Sequence, residues 1–232
     1  MKKDVLFCLI IIIIIISGCN NIKEKFFQDN SNNLQTDNEI SQRTIGYIGC
    51  SNTRQTVYGY RWSDGKEIWK VDMDNLHDYD SGSIFQWAKD AEEGSGFWNV
   101  FDQHLRENPK TTKVWIQLCI PNGESKITYE QAFPVIEAVR KRISNVTIYV
   151  SPLADYTENV CEITGIEGIE RAKTLAQELD SKNEDVFLGP ILGPLSLAEI
   201  NPKDKSRCHP NEEGMLKMGK QLKEFFNQTL ET

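Results

Sequence analysis

Ile45-Gly46-Tyr47-Ile48-Gly49-Cys50-Ser51-Asn52-Thr53 is the stretch on which the reading of this chain turns. It begins as a short apolar run carrying glycines and ends in a small polar cluster, the pattern of a buried strand that stops at a tight turn. Ser51 falls on that turn. A residue at the C-terminal end of a first parallel strand lies where open α/β sheets bind ligands, so Ser51 is a candidate nucleophile if the chain supplies it with a base.

Downstream, Glu67 to Val71 reads as a second strand after the turn Ser63-Asp64-Gly65. Ser83 and Gln86 form a capping-box pattern that opens a short helix through Trp87 and Ala88. Phe97, Phe101 and Leu105 give the next helix an apolar face, closed by Asn108-Pro109. Lys113 to Ile120 reads as a central strand. The helix after it, Ala132 to Ile143, has Pro134 in its first turn. Val146 to Val150 is a β-branched strand, and Thr164-Gly165-Ile166-Glu167 is a second capping-box pattern ahead of the apolar stripe Ile169, Ala172, Leu175, Ala176 and Leu179. Val186 to Leu188 is the last strand. A final helix from about Asn211 buries Met215, Met218, Leu222 and Phe225. Strands alternating with helices predict a three-layer α/β domain with a mainly parallel, five-stranded sheet over residues 44–232.

Upstream the chain is of a different material. Lys2 and Lys3 precede an apolar stretch from Val5 to Ile16, and Ser17-Gly18-Cys19 follows at once. That is an export signal over residues 1–19. Ile16-Ser17-Gly18-Cys19 resembles the lipobox of prokaryotic lipoproteins, which implies that Cys19 carries the lipid. The alternative is a transmembrane anchor, although the run is shorter than the ~20 residues a span requires. Either reading puts the domain outside the cytoplasm, at the cell surface or in the periplasm. Residues 20–43 are rich in Asn, Gln, Ser and charge, and read as a flexible tether reaching roughly 25 to 30 Å.

A chain of 232 residues with 39% hydrophobic content can bury a real core. Its formal net charge of -8 argues against a nucleic-acid partner, which calls for a basic footprint. The acidic run Asp72 to Asp80 lacks the glycine and terminal glutamate of a calcium loop and reads as a solvated segment. The three histidines, His77, His104 and His209, offer no ligand-spaced pair, so neither a metal nor another cofactor is expected. His77 belongs to the acidic loop, and His104 reads as an exposed helix residue. His209 differs, because Cys208-His209-Pro210-Asn211 places it just before a helix that Asn211 would cap.

Gly49-Cys50-Ser51-Asn52-Thr53 resembles the first block of the SGNH (GDSL-like) hydrolases, with Cys50 in place of the usual aspartate. His209-Pro210-Asn211-Glu212-Glu213-Gly214 resembles the last block, and the resemblance spans roughly Thr44 to Phe226. It implies a flavodoxin-like fold, Ser51 as nucleophile and His209 as general base. It also implies an oxyanion hole from the Ser51 N–H, the Gly82 N–H and the Asn122 side chain, with Gly94 and Gly96 as competitors for the glycine. Two positions depart from the pattern. Pro121 stands where the family's asparagine is expected, and Ser206 stands where an aspartate usually precedes the histidine by three residues. Asp204, two residues further upstream, orients His209 if the loop bulges. Otherwise a backbone carbonyl holds the ring and the site is a Ser-His dyad.

Apart from Cys8 and Cys19, four cysteines remain, Cys50, Cys119, Cys161 and Cys208, an even number for an oxidising compartment. Cys161 with Cys208 is the favoured pair, each in a loop after a late strand, bracing the His209 loop. Cys50 and Cys119 end neighbouring strands and either pair or stay as buried thiols; Cys50 as nucleophile is the rival to Ser51. The expected function is a lipid-anchored serine esterase acting on small-molecule or carbohydrate esters. The alternative is a non-catalytic surface lipoprotein that binds a glycan or envelope partner.

Overall fold

The computed structural model describes residues 43–71, 81–93, 96–157 and 161–230. The export signal with Cys19, the tether up to residue 42, the acidic run with His77, and Gly94 lie outside the described residues.

Among the described residues four parallel strands make the sheet; the first three are mostly apolar runs buried on both faces, as parallel strands require, whereas Phe187 and Leu188 of the last strand, at the edge, are exposed. β1 (Ile45–Ile48), β2 (Lys113–Leu118), β3 (Thr147–Pro152) and β4 (Val186–Leu188) lie side by side in that order. The register sets Ile48 opposite Ile116 and Ile116 opposite Val150. The expected fifth strand at Glu67 to Val71 shrinks to one parallel bridge, Ile68 to Ile45, on the free side of β1. There the Glu67 carbonyl accepts the Ile45 N–H and the Trp69 N–H donates to the Ile45 carbonyl. Trp69 then turns its ring into the core and donates its indole N–H to Thr111 Oγ1 at 2.8 Å, which takes the chain away from the ladder. With that bridge counted, the segments run 2-1-3-4-5 across the sheet. This is the flavodoxin-like order, whose switch point lies between β1 and β2.

Among the described residues six α-helices cover the two faces: α1 (Ser51–Trp62), α2 (Ile84–Glu93), α3 (Phe97–Glu107), α4 (Tyr129–Arg142), α5 (Gly165–Ser181) and α6 (Glu212–Leu230). Val57 and Tyr60 of α1 join Met218, Leu222 and Phe226 of α6 against Ile45, Trp115 and Tyr149. On the other face, residues of α2 to α5 pack on Val114, Ile116, Leu118, Ile148 and Val150. Alternate strand residues therefore feed opposite layers, as the two-residue period dictates. Each fully buried large side chain in these layers contributes about 1.5–3 kcal/mol.

The crossing of α1 and α6 positions the two ends of the chain that carry Ser51 and His209. A Cβ on Gly59 would stand 1.8 Å from the Met215 carbonyl oxygen, and one on Gly219 would stand 2.0 Å from the Gly59 carbonyl carbon. The two backbones touch where both residues lack side chains. The helix that begins with Ser51 is thereby held against the helix that begins just after His209.

Several element expectations shift. α4 begins at Tyr129 because Thr128 and Gln131 close a reciprocal capping box, so Pro134 lies in the second turn rather than the first. α5 starts as expected, but Thr164 makes no side-chain cap; its hydroxyl turns to the Cys161 carbonyl, and Glu167 instead accepts from Ser125. The Ser83–Gln86 box forms in full. In α6 the deeply buried positions are Met218, Leu222 and Phe226, with Met215 and Phe225 half-buried. His104 is half-buried as well, stacked on Trp69 at 5.7 Å, because Trp69 occupies the face expected to be open.

Candidate active site

β1 ends at Ile48, and a side chain on the next residue, Gly49, would collide with Thr53 Oγ1 at 2.1 Å. The chain then turns at Cys50 and enters α1 with Ser51 as its first helical residue. The turn is fastened from several sides. The Cys50 N–H donates to Thr53 Oγ1 at 3.0 Å, and the Thr53 hydroxyl donates to Gln117 Oε1 at 2.8 Å beneath it. A disulfide joins Cys50 to Cys119, just past the end of β2. That bridge spans the switch point of the sheet and makes Cys50 a cystine, which removes it as a rival nucleophile.

His209 comes from the far end of the chain. A short turn at Leu197–Glu199 leads to a loop in which the Asn201 N–H donates to the His209 carbonyl at 2.9 Å. Arg207 takes a positive φ of 53° there and folds Asp204 back under the histidine. Asn211 caps α6, accepting from the Gly214 N–H at 3.0 Å. A second disulfide, Cys161–Cys208, ties the residue before His209 to the lead of α5.

These two ends meet. Ser51 Oγ lies 2.8 Å from His209 Nε2, and His209 Nδ1 lies 2.9 Å from Asp204 Oδ2. Asp204 also accepts from the His209 N–H at 2.7 Å, the Cys208 N–H at 2.8 Å, and both the N–H and the hydroxyl of Ser206 at 3.1 and 2.6 Å. Burial alone would raise the Asp204 carboxyl. The Ser206 hydroxyl and the backbone N–H groups outweigh it and hold the acid well below the usual carboxylate range. An ionised carboxylate only accepts, so Nδ1 must carry the proton toward it. Nε2 of the neutral ring is then left to accept the Ser51 hydroxyl proton.

The pair opens on a cleft of about 190 Å³ at the carboxyl ends of the strands, with the two cystines, Leu153, Pro121 and Ile163 in its walls. Gly82 lines it too, but its N–H donates to the Gly49 carbonyl at 2.9 Å. Asn122 does not line the cleft. Its N–H donates to the Ile163 carbonyl at 2.8 Å in a short turn, Asn122–Glu124, and its exposed side chain stands beside Gly165. The Asn122 amide therefore stands away from the serine. Gly96 is the N-terminal cap of α3 and lines no part of the cleft. By helix geometry the first-turn N–H groups of Ser51 and Asn52 have no intrahelical acceptor, and they bring the positive end of the α1 dipole to the serine.

Two residues that sequence reasoning passed over, Asn52, which also lines the cleft, and Tyr156, meet at the loop that carries His209. Both donate to the Cys208 carbonyl, at 2.9 Å each. Burial pushes the Tyr156 phenol up, so it remains a donor. Among the described residues no group of three or more His, Cys, Asp or Glu is placed to hold a metal ion, and no helix is long and apolar enough to cross a membrane.

No family model and no curated protein matches the chain. Solved structures do. A carbohydrate acetylesterase family member from Sinorhizobium meliloti aligns at 12% identity over 82% of this chain and 100% of its own, with a TM-score of 0.45. A Streptococcus pneumonia structure provisionally assigned as a platelet activating factor aligns at 12% identity over 95% and 98%, with a TM-score of 0.49. A family two carbohydrate esterase from Clostridium thermocellum, in complex with cellohexaose, aligns at 11% identity over 82% and 65%, with a TM-score of 0.41.

Proposed function

We propose that this protein is a serine esterase in which Ser51 attacks an ester carbonyl and His209 takes and returns the proton, with Asp204 orienting the ring. The observation that carries this reading is the chain of contacts from Ser51 Oγ through both His209 nitrogens to Asp204. Attack forms a bond from Oγ to the carbonyl carbon while the hydroxyl proton moves to Nε2. Collapse expels the alcohol, which takes that proton, and water then releases the acid from the acyl-serine by the same two steps. The negative oxygen of the intermediate is received by the first-turn N–H groups of α1.

Short acyl groups fit a cleft of this size, whose lining sets the two cystines, Pro121, Leu153 and Ile163 beside the polar Ser81, Ser83, Gln86 and Thr164. Acetyl groups on carbohydrate are the substrates that the resemblance to SGNH hydrolases implies. The basic, apolar and small-residue pattern ending at Cys19 supports export and a lipid anchor on a tether of residues 20–43. No cofactor takes part in the proposed steps.

One observation favours a second reading, a non-catalytic lipoprotein that binds a glycan or envelope partner. Two of the three expected oxyanion donors are not free at the serine, since Gly82 is engaged with Gly49 and Asn122 stands outside the cleft. Each missing donor costs about 3 kcal/mol of transition-state stabilisation. Turnover of p-nitrophenyl acetate separates the readings. An esterase hydrolyses it and loses that activity in Ser51→Ala, whereas a binding protein gives no turnover, or turnover that Ser51→Ala leaves intact.

A further inference from the structure

The peptide unit between Cys208 and His209 is held at both ends. Its N–H, on His209, donates to Asp204 Oδ2 at 2.7 Å, and its carbonyl, on Cys208, accepts from Asn52 Nδ2 and Tyr156 Oη at 2.9 Å each. A peptide unit is rigid and planar, so fixing its two ends fixes the direction in which the His209 Cα leaves it. Asp204 belongs to the same loop as His209. Asn52 does not, because it directly follows Ser51 in the first turn of α1. The path Ser51–Asn52, hydrogen bond, Cys208–His209 is therefore a direct link between nucleophile and base outside the bond they make to each other.

We propose that Asn52, assisted by Tyr156, is a positioning residue that sets the Ser51–His209 distance by clamping the Cys208 carbonyl; the proposal rests on the esterase reading above. A second observation points the same way. Asn52 is 3% exposed, yet its Oδ1 has no hydrogen-bond partner among the described residues. A buried unpaired acceptor costs stability, and an apolar side chain of similar size would avoid that cost. What the amide contributes in return is the bond it donates to Cys208. Tyr156 reaches the same oxygen from the segment after β3, so the carbonyl is gripped from two separate parts of the fold.

The clamp makes a prediction that a packing role does not. Asn52→Leu removes the donor and the unpaired acceptor together, so melting is unchanged or raised while kcat on p-nitrophenyl acetate falls about tenfold and KM stays within about twofold. Tyr156→Phe, which keeps its ring packing, lowers kcat less, because Asn52 still holds the carbonyl. The double variant exceeds the product of the two single effects, at about 100-fold or more. Amide hydrogen exchange of the peptide containing Cys208 and His209 gives a readout independent of turnover, and it speeds up in the double variant. Unchanged kcat in the double variant, a rise in KM with kcat intact, or a kcat loss that merely follows a fall in melting temperature would each overturn the clamp. Where the parent protein itself shows no Ser51-dependent turnover, the esterase reading fails, and exchange decides the clamp alone. Unaltered exchange in the double variant refutes it, and faster exchange upholds it.

Discussion

Asp204→Asn is the substitution whose consequences the geometry fixes most closely. The carboxylate accepts five hydrogen bonds, three from backbone N–H groups, one from the Ser206 hydroxyl and one at the His209 ring. An amide in its place offers one acceptor oxygen and turns an N–H toward groups that also donate. At the ring, the tautomer with the proton on Nδ1 loses its partner, and Nε2 is no longer reliably the acceptor that Ser51 needs. In a serine protease triad the same change of carboxylate to amide lowers kcat by about 10⁴, and a loss of about 10³–10⁴ is expected here. In the loop, bonds to a charged acceptor with a side chain 13% exposed are worth about 1.5–3 kcal/mol apiece, partly recovered by water and by the amide. A net loss of about 2–4 kcal/mol results, or about 5 to 15 °C in melting temperature. The pH dependence supplies the sign. Because folding depresses the Asp204 pKa, its contribution is complete above the unfolded aspartate value of about 4 and disappears as the pH falls through the lower folded value. The gap in stability between parent and variant, measured by urea unfolding, should be constant from neutral pH to about pH 5 and should narrow below about pH 4. A gap that persists undiminished into strong acid, or a variant as active as the parent, would refute the reasoning.

Other parts of the fold give equally concrete expectations. Replacing Cys161 and Cys208 together by alanine opens a loop with a sequence separation of 47 and should cost about 2–4 kcal/mol in denaturant unfolding, with Ser51-dependent turnover falling as the His209 loop loosens. An unmoved midpoint would contradict the bracing role. Gly219→Ala forces a methyl into the backbone of α1 and should lose about 3 kcal/mol or more, measured by urea unfolding. A variant of wild-type stability would mean that the two helices do not meet at their backbones. Thr128→Ala removes the cap that starts α4 and should cost about 1 kcal/mol without altering turnover, read by thermal melting beside the ester assay.

The sequence disclosed the parts of this fold that depend on local chemistry. Apolar runs placed four strands, the small polar cluster after the first placed Ser51 at a strand end, and His209 was read just before a helix start, its role coming from the resemblance to the SGNH hydrolases rather than from local pattern. Asp204 was legible only conditionally. Its approach to His209 depends on Arg207 adopting a positive φ, a conformation that glycine or asparagine would have advertised and arginine does not. Asn122 was misplaced because its departure is set by a contact with Ile163, 41 positions away in the chain and invisible to any local pattern. The α1–α6 crossing had a readable clue in Gly59 and Gly219, since glycine inside a helix is costly unless something must come close. Thr128-x-x-Gln131 was an equally readable capping box, obscured by the proline just beyond it. Asn52 and Tyr156 carried no signal, because their meaning lies in one carbonyl that both reach across the fold.

The central claim is that Ser51 is an activated nucleophile with His209 as its base. Labelling of the purified protein with a fluorophosphonate, mapped by peptide mass, tests it most directly. One adduct on Ser51 is predicted, absent in Ser51→Ala and slowed by about 10² or more in His209→Ala. No adduct on the parent protein, or labelling that Ser51→Ala leaves unchanged, would contradict it.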